Sequence, residues 1–330
     1  MSGILSIQAR CLSGCMIILS LLSSTELCAW GRTGHAWIGR MAAELAPEGR
    51  EFWLANRYQM ATLANVPDVL WKSNANANSR VEVPTHWFQI DAYASAPWEL
   101  PAVFNSYSET VAEFGQEIVQ TNGTASWRAL EFYKLAVDTM RKGNYPRSLQ
   151  MAGALAHYIG DLSQPLHVTI DYDGENESNT GIHSFFETKN IQNADAAILQ
   201  AAIKERAVKL LQDPEFQESF QGSPLQAIYR EIMRSAQSIR TVLDQDRQLG
   251  RGAAGSRAQM ALATDRLADG TATLAILLGR IWIEGGRPDI KQEIRVPDPI
   301  WVAPQYDFIK PFLIDPIFRS VYDSARDCEE

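Results

Sequence analysis

The stretch MAGALAHYIGDLSQPLH, residues 151–167, constrains this chain more than any other. Within YPRSLQMAGALAHYIGDL (145–162) the residues are apolar except along a narrow face, which is the pattern of a buried helix. Yet the stretch carries His157, Asp161 and His167. His157 and Asp161 are four residues apart, so both leave one helix face with Cβ atoms roughly 5–6 Å apart. Burying a carboxylate is costly unless it is paired or ligated. No Lys or Arg between Arg147 and Lys189 neutralises it from within the segment. A metal cation is then the natural partner. Imidazole and carboxylate without thiolate suit zinc in a hydrolytic site better than in a structural one. Pro165 breaks or kinks the helix and turns His167 away from the face of His157. One helix end can thus feed two ions.

Singly, each piece is weak. A histidine and an acid at this spacing commonly form a surface ion pair, and a lone histidine on an apolar face is commonly a hydrogen-bonded core residue. The combination decides. His183 and Glu187, in GIHSFFET, repeat the four-residue spacing. His86 stands in PTHWFQID, beside a proline and two aromatics. His35 stands in WGRTGH and becomes the sixth residue if the chain is processed before Trp30. The free amine and the carbonyl of Trp30 then form a five-membered chelate ring, and Gly31 and Gly34 let the chain turn so that His35 meets the same ion. All five histidines of the chain find a place in a metal centre.

The rest of the sequence reads as an all-α, single multi-helix domain. Helical periodicity marks 34–46, 100–120, 126–143, 195–212, 224–243 and 256–285. VEVPTHWFQID (81–91) is the best extended segment, and Pro84 limits it to a loop or short edge strand. Residues 1–29 resemble a targeting segment: Arg10, then the apolar run MIILSLL, then a cleavage point after Ala29. A weaker reading takes LSGC (12–15) as a lipoprotein signal, but the apolar run follows Cys15 instead of preceding it. The apolar run is too short to span a bilayer. The expectation is therefore an exported protein, periplasmic or secreted and bacterial, with no transmembrane segment in its mature form. Its helical domain covers 30–286. Only Cys328 then remains of the cysteines, and the sequons at Asn122 and Asn176 read as chance. Residues 287–330 hold six prolines beside Trp301, Phe308, Phe312 and Phe318, and read as an extended strap packed on the helical body.

Together, WGRTGH (30–35), NVPDVLW (65–71), PTHW (84–87), HYIGDLSQPLH (157–167) and HSFFE (183–187) resemble the superfamily of three-zinc single-strand-specific nucleases and zinc-dependent phospholipases C. The pieces fall in that superfamily's order across about half the chain. The resemblance implies three zinc ions (Zn2+). One is held by Asp68, His86, His157 and Asp161, a second by Trp30, His35 and Asp161, and a third by His167, His183 and Glu187. Asp161 would bridge the first two. It also implies hydrolysis of a phosphodiester by a water that the close zinc pair activates for in-line attack. The catalytic set would be Asp161, Asp68 and Asp91. Asp91, five residues past His86, either orients or deprotonates that water or is a surface acid. The formal net charge of −9 excludes a binder that relies on a broad basic surface. Three dications nonetheless make such a centre locally positive.

The two branches of the superfamily leave mixed marks. The spacing of WGRTGH resembles the nucleases, while Glu187 and THWFQID resemble the phospholipases. The N-terminal spacing fixes a metal centre, whereas Asp and Glu are interchangeable ligands, so the nuclease branch is favoured. The expected substrate is single-stranded DNA or RNA, cut to 5′-nucleotides. Phospholipid head groups are the alternative, and a non-catalytic helical zinc protein is a second. No stable protein partner is implied. Trp87 is the candidate platform for stacking a base, and core packing is its other reading.

Overall fold

The computed structural model describes residues 30–72, 82–96, 98–174 and 179–296. The targeting segment (1–29), Asn176 and residues 297–330 lie outside the described residues. The order begins with α1 (Gly31–Leu45), α2 (Arg50–Ala55) and α3 (Arg57–Leu63). A π-helical turn, Pro67–Trp71, and two 3-10 turns, Val83–His86 and Ile90–Ala92, come next. Then follow α4 (Tyr107–Phe114), α5 (Gln116–Thr121), α6 (Ala125–Arg141) and α7 (Tyr145–Ser163). Short helical turns from Ile182 to Gln192 lead to α8 (Ala196–Gln212), α9 (Pro214–Glu218), α10 (Pro224–Ala236), α11 (Ile239–Leu249) and α12 (Ala253–Glu284). No strand occurs among the described residues, so the architecture is all-α. No described helix is long and apolar enough to cross a membrane.

Helix α7 is the axis of the fold. Every residue from Ser148 to Ser163 is buried. It packs along α6, joined by a three-residue turn, and against α1, α3, α10 and α12. Leu155, Ile159 and Leu162 are fully buried, each stabilising by about 1.5–3 kcal/mol. Asn144 starts the helix, its side chain accepting from the Arg147 N–H at 3.2 Å, and Pro146 sits in the first turn. The helix stops where it does because Gln164 precedes Pro165. The proline ring pushes Gln164 out of the helical region, to φ −90° and ψ 119°. The chain then makes a separate 3-10 turn, Pro165–His167.

Several elements depart from the periodicity. The helix expected over 100–120 is broken into a 3-10 turn, Ala102–Asn105, and then α4 and α5. Gly115 separates the last two at φ +86°, a backbone state that L side chains rarely adopt. The helix expected over 224–243 divides into α10 and α11 at Gln237–Ser238. Of segment 81–91, the described part, 82–91, is a loop with two 3-10 turns. Pro84 lies in the first turn of Val83–His86, Trp87 after it is extended, and the N–H groups of Phe88 and Ile90 donate to the carbonyls of His167 and Val168, each at 3.0 Å. Those two rungs tie the loop to the turn that follows α7. The segment that follows α12 returns to α2 and α3: Ile294 N–H donates to Asn56 Oδ1 at 2.7 Å and Val296 N–H to Gln59 Oε1 at 3.1 Å.

Candidate metal centre

Four elements bring the histidines together. His35 comes from α1, Asp68 from the π-helical turn, His86 from the 3-10 turn, and His157 and Asp161 from α7. The approach of α1 to α7 depends on Gly160. A Cβ there would stand 2.7 Å from His35 Nδ1, which only glycine avoids. The His35 and His157 rings consequently stack at 4.1 Å.

The first cluster has four inward atoms. His86 Nδ1 lies 2.9 Å from His157 Nε2, 3.1 Å from Asp161 Oδ2 and 3.5 Å from Asp68 Oδ1. His157 Nε2 lies 3.3 Å from Asp161 Oδ2 and 3.6 Å from Asp68 Oδ1. Four ligands on a tetrahedron about 2.0–2.1 Å from a zinc ion are about 3.3 Å apart. The measured separations bracket that value. The other oxygen of Asp161, Oδ1, lies 3.3 Å from His35 Nε2. Both ring nitrogens of His35, Asp161 Oδ1 and Asp68 Oδ1 are buried without a hydrogen-bond partner. Buried polar atoms are rarely left so. Cations beside His35 Nε2, Asp161 Oδ1 and Asp68 Oδ1 would account for three of them, while His35 Nδ1 faces Gly160.

A second triangle lies beyond Pro165. His183 Nε2 is 3.0 Å from Glu187 Oε2 and 3.1 Å from His167 Nε2, and His167 Nε2 is 3.7 Å from Glu187 Oε2. His183 and Glu187 keep their four-residue reach although Glu187 sits in a π-helical turn, Phe185–Lys189. His167 and His183 retain 8% and 7% exposure, whereas His35, His157 and Asp161 have none, so solvent reaches the assembly from this side. The two clusters touch through the backbone, since His167 Nδ1 donates to the His86 carbonyl at 2.7 Å.

Backbone partners fix which nitrogens face inward. His157 Nδ1–H donates to the Ala64 carbonyl at 2.9 Å, leaving Nε2 bare toward Asp68 and Asp161. The bond from His167 to His86 does the same for His167. Electrostatics supports inward-facing anions. Burial would raise both acids, but His157, His35 and His86 together outweigh it at Asp161 and hold it well below the ordinary aspartate value, while His157, Lys72 and His86 together hold Asp68 below it. Burial would lower His157, but Asp161 and Asp68 push it up to about 9. Burial, with the charge of His157, lowers His35. Without metal, one proton on His157 therefore takes the place of a cation. Burial likewise opposes ionisation of Glu187, and His183 and His167 overcome it.

Trp30, Asp91 and Trp87 behave differently. Trp30 is fully buried, with a left-handed backbone (φ 48°) and its indole N–H on Ser163 Oγ at 2.9 Å. Its carbonyl already accepts the first N–H of α1, from Gly34, at 3.0 Å. Asp91 spends both oxygens on the loop after His167. Oδ2 accepts from Thr169 Oγ1 at 2.6 Å and Oδ1 from the Ile170 N–H at 2.9 Å. Trp87 is half-buried, and its indole N–H donates to the Thr121 carbonyl at 3.2 Å.

Two acids escaped the sequence reading. Asp173 accepts from the N–H groups of Gly181 and His183, at 2.8 and 3.0 Å, and anchors the turn that presents His183. Glu82 lies behind His86, with Oε1 3.7 Å from His86 Nε2. The signal was present: Glu82 and His86 share the four-residue spacing of the other pairs. Reading 81–91 as extended hid it.

A solved structure of similar shape is the alpha-toxin of Clostridium perfringens from avian strain SWCP, 16% identical over 78% of this chain and 65% of that one, with a TM-score of 0.47. A probable serine protease of Bradyrhizobium tropiciagri is 24% identical and aligns with 51% of this chain. The alignment spans about a third (32%) of the length of that curated relative. The S1/P1 Nuclease family model matches residues 30–282, a span that includes every histidine, acid and loop of the two clusters, and the chain belongs to the S1/P1 nuclease family.

Proposed function

We propose that this chain is a zinc-dependent phosphodiester hydrolase that cuts single-stranded DNA and RNA. The observation that carries the reading is the set of inward atoms: five histidines and three acids, each 2.9–3.7 Å from a neighbouring one, in two clusters joined through His86 and His167. Three zinc ions fit them. Asp68, His86, His157 and Asp161 would hold the first. The amine and carbonyl of Trp30, with His35 and Asp161, would hold the second. His167, His183 and Glu187 would hold the third.

When bound, zinc supplies Lewis acidity, bringing the ionisation of a water into the neutral range and offsetting the charge of the phosphate. The chain supplies the rest. Its acids stay ionised in a buried setting because the histidines surround them. Asp161 offers one oxygen to each of two neighbouring positions, which sets their separation. Asp68 and Asp161 complete the first centre. Asp91 contributes by holding Thr169 and Ile170, and with them the turn that carries His167. Trp87, adjoining His86, offers a partly exposed ring on which a base can stack, an interaction worth about 1–3 kcal/mol per base and indifferent to sequence.

Processing fits this scheme. The Trp30 amine is available as a ligand only when residues 1–29 have been removed, in keeping with an exported protein. The segment that bonds Asn56 and Gln59 through Ile294 and Val296 is the start of a strap over α2 and α3.

The test is to purify the chain beginning at Trp30 and offer it single-stranded DNA, RNA and phosphatidylcholine vesicles in parallel. Release of 5′-nucleotides from both nucleic acids is expected. Hydrolysis of the lipid alone overturns the choice of substrate, because Glu187 as third-centre ligand would then mark the phospholipase branch.

A further inference from the structure

We propose that Glu82 is a positioning residue that sets the tautomer of His86 and tightens zinc at the centre of Asp68, His86, His157 and Asp161; the inference rests on the zinc reading above. His86 uses Nδ1 as its inward atom, 2.9 Å from His157 Nε2 and 3.1 Å from Asp161 Oδ2. A neutral imidazole carries one proton. With Nδ1 bare toward the centre, that proton belongs on Nε2. Nε2 is buried and has no hydrogen-bond partner, and Glu82 Oε1 stands 3.7 Å away. This is somewhat under 1 Å longer than a charge-assisted hydrogen bond of about 2.7–2.9 Å, a gap that small side-chain shifts close.

His86 is singular in this respect. His157 and His167 turn their outer nitrogens to neutral backbone carbonyls, of Ala64 and His86. Only His86, among the five histidines, turns its outer nitrogen to a carboxylate. A carboxylate behind a ligand histidine fixes the ring and raises its basicity more than a carbonyl does.

Glu82 is itself held. It has no exposed surface. Tyr158, next to His157 on α7, donates its hydroxyl to Oε1. Arg128 of α6 reaches Oε2 with Nη2 at 3.3 Å. Arg128 is fully buried too, forms a second ion pair with Glu131, and lays its guanidinium 4.5 Å above the Phe132 ring. A buried ion pair is weak as a source of stability, because both charges leave water. Its place directly behind a ligand gives the pair a different purpose: α6 and α7 grip Glu82 so that Glu82 can grip His86.

The test uses the chain processed to Trp30, with E82Q and the double variant E82M/R128M. The double variant removes the pair without leaving Arg128 facing a neutral partner, and keeps the test open if E82Q alone does not fold. Zinc is withdrawn by graded concentrations of a competing chelator, and folding is checked by thermal melting. One of three zinc ions should bind about 10–100-fold more weakly in both variants, with the other two as in wild type. In the metal-free proteins, 15N spectra of the imidazoles should show His86 protonated at Nε2 in wild type and shifted toward Nδ1 in the double variant. Folded variants with unchanged affinity at all three positions overturn the proposal. So does an equal weakening of all three, which marks a general loss of stability. A wild-type chain that takes up no zinc removes the zinc reading itself, and this proposal with it.

Discussion

Asp161 Oδ1 lies 3.3 Å from His35 Nε2, while the other oxygen of the same carboxylate faces His86 and His157 at 3.1 and 3.3 Å. One side chain thus serves both sides of the α1–α7 contact. D161N should therefore cost two zinc ions, leaving one per chain, and lower activity by at least about 100-fold, since even outer-shell changes cost 10–100-fold. H167A should cost one zinc and leave two. Metal counting on the two purified variants separates them, and equal losses would contradict the sharing.

Gly160 makes that contact possible. In G160A the new methyl would stand 2.7 Å from His35 Nδ1. The His35 ring is stacked on His157 and cannot withdraw without parting from Asp161. Overpacking of this kind costs about 1–3 kcal/mol. A lower melting temperature is expected, together with weaker zinc binding in the protein that remains folded. A variant as stable and as zinc-loaded as wild type would show that the helices move apart freely.

The pH dependence should differ between metal-free and zinc-loaded chains. His157 is raised from 6.5 to about 9, chiefly because Asp161 and Asp68 outweigh burial. A raised histidine stabilises fully below its unfolded value, and that stability fades as pH rises through the folded value. The metal-free protein should thus lose stability between pH 6.5 and about 9, by up to about 3 kcal/mol. Zinc replaces that proton, so affinity at one centre should rise about tenfold per pH unit over the same window. Melting curves at several pH values, with and without chelator, check both signs.

Asp91 offers a discrimination between holding and catalysis. Its oxygens are engaged by Thr169 and Ile170. D91N keeps one acceptor and should lower activity less than about tenfold, with the pH profile in place. General-base catalysis is worth about 10²–10⁴-fold, so a loss of that size with a displaced profile would restore Asp91 as the base.

The proposed Trp30 chelate predicts a dependence on the chain start. A protein carrying extra residues ahead of Trp30 should bind one zinc fewer and lose most of its activity. Full activity in that form would contradict the chelate.

The helices were legible where burial and periodicity agree. The axis α7, with His157 and Asp161 on it, follows from an apolar run that those two residues interrupt. The stop after Ser163 follows from Pro165. Breaks were harder. Gly115 and the Gln237–Ser238 junction interrupt amphipathic patterns that continue across them, because the apolar face persists while the backbone turns. The five histidines, Asp161 and Glu187 were legible by type and spacing, and Asp68 only through the family resemblance. Glu82 and Asp173 were not, because each acts through a partner, His86 or the His183 backbone, that is placed only by tertiary packing. The engagement of Asp91 with Thr169 and Ile170, 78 and 79 residues away, is likewise invisible before folding.

Anomalous diffraction at the zinc edge, from crystals of the chain beginning at Trp30, puts the three-ion reading to its hardest test. Three peaks are expected. Two should share Asp161, one lying among Asp68, His86 and His157 and the other beside His35. The third should lie among His167, His183 and Glu187. Fewer than three peaks, or peaks on other residues, would refute it.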